Sequence, residues 1–147
     1  MKKTLEDLQF LYANGFIGET QFRCVKNLIL KSEEKQFFID KISELKKRID
    51  EMPKTYEQDG KGKRATAYLH YFVGGCDWYI TEKDIDPNKE GQLQAFGVTN
   101  LGHGPEIGYI NLFDVGRANA ELDFHFKPTI LAEIDKAAWQ INNLADN

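Results

Sequence analysis

"YLHYFVGGCDWYITEKD", residues 68–84, decides how the second half of the chain folds. Two runs rich in aromatic and β-branched residues flank Gly74 and Gly75, and glycine accepts the positive φ that a tight chain reversal needs. The spacing predicts an antiparallel hairpin. Side chains alternate across a strand, so His70 shares a face with Tyr68 and Phe72 while Leu69 and Tyr71 point the other way. His70 is therefore expected among rings. Asp77 is expected at the turn, where its carboxylate can bond its own backbone, and Trp78 as a core or rim anchor whose indole N–H needs one partner.

Beyond the hairpin, β-type runs at 93–99, 106–111 and 121–126 are separated by Gly, Pro and Asn. With 68–73 and 78–82 they make about five short strands, which implies a small, mainly antiparallel sheet. Pro128 and Thr129 are expected to open a last helix, in which Ile130, Ile134, Ala137, Ala138 and Ile141 form a stripe that covers one face of the sheet.

The first third of the chain has a helical period. Leu5, Leu8, Leu11 and Tyr12 form one stripe, Thr4 is placed to cap it, and Gly15 stops it. Phe22, Val25, Leu28 and Ile29 predict a second helix folded back on the first. Ser32 before Glu33 and Glu34 signals a third, whose seam is Phe38, Ile42, Leu45, Ile49 and Met52 until Pro53 ends it. Residues 53–66, "PKTYEQDGKGKRAT", have no apolar period and read as a linker. The expected organisation is α+β: a helical region at 1–52, the linker at 53–66, and a β-rich region with its C-terminal helix at 67–147.

Composition narrows the function classes. Of 147 residues 41% are hydrophobic and 29% charged, as in a folded globular chain. No apolar run approaches the roughly 20 residues of a spanning helix, and Glu6 and Asp7 follow Met1-Lys2-Lys3-Thr4 where a leader would be apolar. The expectation is a cytoplasmic protein with Cys24 and Cys76 reduced and no membrane association. A net charge of −4 gives no general attraction for nucleic acid. The local basic residues Lys46, Lys47, Arg48, Lys61, Lys63 and Arg64 leave that as a third reading, not the favoured one.

Candidate chemistry is sparse. Asp84, Asp86, Asn88 and Glu90 alternate, but Lys89 and Ala95 stand where a calcium loop needs Gly and a bidentate Glu. Gly62-Lys63 lacks the spacing of a phosphate loop. In "ELDFHFKP", residues 121–128, alternation sends Leu122, Phe124 and Phe126 to the core and leaves Glu121, Asp123 and His125 in a row. Asp123 and His125 are the candidate metal ligands, since carboxylate and imidazole suit a divalent cation or acid–base work. Joined by His70, Glu82 and Glu106 from neighbouring strands, they would make a small metal-dependent hydrolase or nuclease. His103 in "NLGHGPE" sits in a glycine-rich loop that suits backbone approach to a ligand. No cofactor is expected apart from that divalent metal.

Two resemblances add expectations. "LEDLQFLYANGFIGETQF" resembles the short bacterial helical hairpins called SHOCT domains, which implies an oligomerisation or docking element. Asp77 to Glu82, Ala95-Phe96-Gly97, Glu106 to Ile110 and Glu121 to Pro128 together resemble a bacterial domain of unknown function found in plasmid, phage and conjugative-element proteins. That resemblance implies a mobile-element context and transfers no mechanism. The leading reading is a non-enzymatic accessory protein that binds a protein partner or a second copy of itself, with His70, Asp77, Trp78, Glu82, His103 and Glu106 as candidate binding residues.

Overall fold

The computed structural model describes residues 1–85 and 90–138. Helix α1 spans Lys2–Ala13 and buries Leu8 and Leu11; it begins earlier than Thr4, which lies buried inside it instead of capping it. Gly15, at φ 86°, turns the chain, and α2 (Glu19–Lys31) returns with Val25 and Ile29 inward. The Tyr12 and Phe22 rings stack across this hairpin at 4.5 Å. The Ser32 hydroxyl then accepts the Glu34 N–H at 2.9 Å, ahead of α3 (Lys35–Glu51), which buries Ile42, Leu45 and Ile49. At the far end of α3 the Lys83 ammonium donates to the carbonyls of Ile49 (2.6 Å) and Asp50 (3.2 Å), a cation where the helix dipole is negative.

β1 (Thr66–Ala67) is followed by β2 (Leu69–Val73), β3 (Cys76–Glu82), β4 (Ala95–Asn100) and β5 (Pro105–Ile110). Then come α4 (Leu112–Arg117), β6 (Glu121–Leu122), β7 (Thr129–Ile130) and α5 (Asp135–Ala138). Five of the strands make one antiparallel sheet in the order β5-β4-β3-β2-β6, and β1 pairs with β7 in a separate ladder. The α+β architecture expected from the sequence is present. Val73 pairs with Cys76 around the two glycines, with Gly74 at φ 54°, as the hairpin reading required.

Both faces of the sheet are covered. On one, Leu69, Tyr71, Trp78 and Ile80 join Leu8, Leu11, Val25, Ile29 and Leu45 of the helices in one apolar cluster, and the buried Tyr71 hydroxyl donates to the Phe16 carbonyl. On the other, Tyr79 and Val98 pack with Ala65, Ala67, Leu131 and Ala137. The helices and the sheet thus share a core. Residues 53–66 lie against β3: the buried Gln58 amide donates to Thr66 O and Thr81 O, and its oxygen accepts the Thr66 N–H, all at 2.8 Å.

Two of the expected elements take another form, α4 and β1 are additions, and the 53–66 stretch expected as a linker packs on β3. The run 121–126 stops being a strand at Leu122, because the Asp123 carboxylate accepts the His125 N–H at 2.9 Å and turns the chain. The helix expected from Pro128 is replaced at its start by β7, drawn into a ladder by Thr66↔Ile130 pairing and a Leu131 N–H to Ala65 O bond. A 3-10 turn, Leu131–Glu133, follows before α5. Of the expected stripe Ala137 covers the sheet, with Ile134 packed against the same cluster and Leu131 taking part in place of Ile130, which is exposed; Ile141 lies outside the described residues.

The sheet's two edges are finished differently. Beyond β6, Gln21 of α2 acts as a surrogate strand: Nε2 donates to Leu122 O (2.9 Å) and Oε1 accepts the Leu122 N–H (2.8 Å). Among the described residues no strand pairs with the outer side of β5.

Gly97 and Gly108 face each other across β4 and β5, and their surroundings predict opposite tolerances. A Cβ on Gly97 would meet Tyr79 O at 2.0 Å, whereas one on Gly108 meets nothing within 4 Å. Gly97→Ala should lose about 3 kcal/mol of stability in urea unfolding, and Gly108→Ala should change it by less than about 0.5 kcal/mol. Equal effects would mean that β3 and β4 do not approach as described.

Candidate functional site

β2, β3 and the turn after β6 converge on one imidazole. His70 Nε2 lies 2.8 Å from Asp77 Oδ1, and Nδ1 lies 3.0 Å from Asp123 Oδ2. The pairing of β2 with β3 brings Asp77 alongside, and an Asp123 N–H to His70 O bond of 2.8 Å fixes the other carboxylate. Rings enclose the group: of the two expected, Phe72 lies 5.7 Å away while Tyr68 packs with the helix-side core, and Tyr79 stacks on His70 at 4.6 Å and 8° with Phe126 at 5.6 Å. The Tyr79 phenol is pushed up to about 12, first by burial and then by the charges of Asp77 and Asp123. Burial alone raises the Tyr71 phenol.

A neutral imidazole has one N–H and one acceptor nitrogen. Each of the two ring nitrogens of His70 lies within hydrogen-bond distance of a carboxylate oxygen. With both nitrogens so held, His70 turns neither of them to an outside ligand, and the trio acts as an internal clamp between β2, β3 and the 123–126 turn.

The other candidates are dispersed. Trp78 is buried in the helix-side core, so it is a packing residue rather than an exposed anchor. Glu106 is exposed opposite Thr99, which itself pairs with Trp78, so it lies on the opposite face of the sheet from His70. His103 is exposed in the β4–β5 loop. The His125 ring lies against Phe37, centroids 6.0 Å apart, while both oxygens of Asp123 are engaged elsewhere. Among the described residues no group of three or more His, Cys, Asp and Glu is arranged to hold a metal ion. Of the basic residues, Lys46 pairs with Asp50 and Arg48 with Glu44, and Arg48 also donates to Phe126 O at 3.0 Å. Cys24 and Cys76 are free thiols. No described helix is long and apolar enough to cross a membrane.

Glu82 stands apart because a β-bulge moves it. Ile80 pairs with Gly97, but Glu82 pairs with Phe96, so Glu82 turns from the face of Ile80 to that of Tyr79 and Val98. There, 4% exposed, it lines a cavity of about 250 Å³ between the sheet and the 53–66 segment. Thr55, Tyr56, Gln58 and Asp59 form the cavity's other side. The sequence reading missed these residues; Tyr56, an isolated aromatic in a polar stretch, was the one available signal. A second hollow, about 540 Å³, lies where α1, α2 and α4 meet, and its charged groups are already paired, Glu19 with Arg23 and Arg117 with Asp114.

Comparison of the chain with protein-family models, with curated proteins and with solved structures found no match.

The clamp predicts an ordering of pair energies. Asp77 has 6% of its side chain exposed and Asp123 25%, so less solvent screens the His70–Asp77 pair. His70→Ala should cost about 3 kcal/mol by stranding the buried Asp77 carboxylate. In double-mutant cycles read by urea unfolding, the coupling of His70 to Asp77 should exceed that to Asp123. The reverse order would contradict a burial-controlled clamp.

Proposed function

We propose that this chain is a binding protein, an accessory protein of a bacterial mobile element, that holds an extended segment of a protein partner along the outer side of β5. The carrying observation is the asymmetry of the sheet's edges: the β6 edge is closed by Gln21, whereas among the described residues no strand pairs with the outer side of β5. Strands recruit strands through unpaired backbone groups. β5 also exposes Ile107 and Tyr109, apolar side chains that a partner would cover, and aromatic and β-branched pairs stabilise neighbouring strands.

Charge favours a basic segment as the occupant. β5 contains Glu106 and no Lys or Arg, the adjoining cavity contributes Asp59 and Glu82, and the whole chain carries −4. Acidic and basic surfaces steer their encounter and select partners. The closed His70 clamp is what weighs against the hydrolase reading. The mobile-element context is supported by the resemblance at Asp77 to Glu82, Ala95 to Gly97, Glu106 to Ile110 and Glu121 to Pro128.

Short random peptides displayed on phage and selected against the full chain provide the test. Selected peptides should be basic and extended, should protect β5 amides from hydrogen exchange, and should bind about tenfold or more weakly to Ile107→Lys. Protection confined to the α1–α2 hairpin would overturn the reading. So would sedimentation showing that a second copy already occupies β5.

A further inference from the structure

Glu82 is buried with too few donors. Its one hydrogen bond among the described residues comes from the Thr81 hydroxyl, 3.2 Å from Oε2. That hydroxyl has a single proton and also faces Phe96 O at 3.1 Å. A carboxylate taken this far from water ordinarily finds a cation or several N–H donors. No Lys, Arg or His is among the described residues lining the cavity, and the neighbouring Lys83 ammonium is turned away onto α3.

The walls select the kind of cation. Phe96, Val98, Ile107 and Leu131 are apolar, and Asp59 adds a second carboxylate. Tyr56, held at φ 77° in the left-handed region that bulky residues avoid, bonds its hydroxyl to that of Tyr109 at the mouth. The Tyr109 phenol is held above its ordinary value first by that bond, with smaller contributions that include the charges of Glu82 and Asp59. A metal ion asks for several converging oxygens, and no such group occurs among the described residues. Carboxylates set among rings and aliphatic side chains instead suit an organic cation, whose charge meets the acid while its carbon stem packs on the walls.

We propose that the Glu82 cavity binds the alkylammonium or guanidinium end of a Lys or Arg side chain presented by the partner segment. This rests on the β5 reading, because Ile107 belongs both to the open strand and to the cavity wall. A strand laid along β5 therefore passes the mouth and can deliver one side chain into it, anchoring register where backbone pairing alone would permit slippage.

The test uses n-butylammonium, methylguanidinium and, as a neutral control, n-butanol, each titrated into the 15N-labelled full chain. Both cations should give saturable shifts at Glu82, Gly97 and residues 55–60, with dissociation constants on the order of 10 mM, and n-butanol should not. Glu82→Gln should weaken binding roughly tenfold, Asp59→Asn less, and Glu6→Gln, exposed on α1, not at all. Asp59→Asn remains informative should Glu82→Gln fail to fold, since Asp59 lies on an exposed turn. No saturable shift, equal response to n-butanol, or indifference to both cavity variants would overturn the site. If the cations bind as expected while selected peptides need neither Lys nor Arg, side-chain delivery is overturned and the β5 reading stands. If the cations bind and no peptide protects β5, the β5 reading and delivery along it fall, leaving a pocket for a free organic cation.

Discussion

Strand β3 has water on neither side. From Asp77 to Glu82 every residue is buried, and the strand is central, flanked by β2 and β4. A strand in that position must be covered twice, by α1 to α3 on one face and by the 53–66 segment with residues 126–137 on the other. The fold is the way this chain supplies both covers. A further demand follows, because β3 carries a carboxylate near each end on the same face. Asp77 is met internally by His70. Glu82 is met by one shared hydroxyl proton, so the same strand holds one closed charge and one open one.

Much of this was legible in the residues. The period of the helices, the Gly74-Gly75 reversal and the alternation that puts Phe72 beside His70 follow from local rules, because they depend on neighbours one to four positions apart, whereas Tyr79 and Phe126 reach His70 from elsewhere in the fold. The clamp's two carboxylates were each noticed, but their convergence depends on strand order, which is a long-range property. Glu82 was unreadable for a sharper reason. Strict alternation puts it with Trp78 and Ile80 on the helix side, and the bulge reverses that side within two residues.

The 121–126 run shows a polar side chain competing with backbone pattern. Its alternation is that of a strand, yet Asp123 gives its two oxygens to His70 and to the His125 N–H, and the strand ends. Gln21 and Gln58 do the converse, extending backbone pairing with a side-chain amide. Glutamine is so common on surfaces that neither role leaves a mark in composition. The same substitution of amide for strand finishes the β6 edge, while among the described residues no strand pairs with the outer side of β5.

The Gln21–Leu122 bond joins positions separated by 101 residues, and that has a consequence for the chain as it is made. The helices leave the ribosome ahead of the sheet and can form from nearby contacts, but their apolar face waits for β2 and β3. Gln21 waits longer still, for residue 122 to be synthesised. Over that interval the nascent helical hairpin carries an uncovered hydrophobic stripe, Leu8, Leu11, Val25 and Ile29, of the kind that trigger-type chaperones shield. Completion of the sheet edge thus comes late in synthesis, and slow translation between the helices and β6 would lengthen the period of greatest exposure to aggregation.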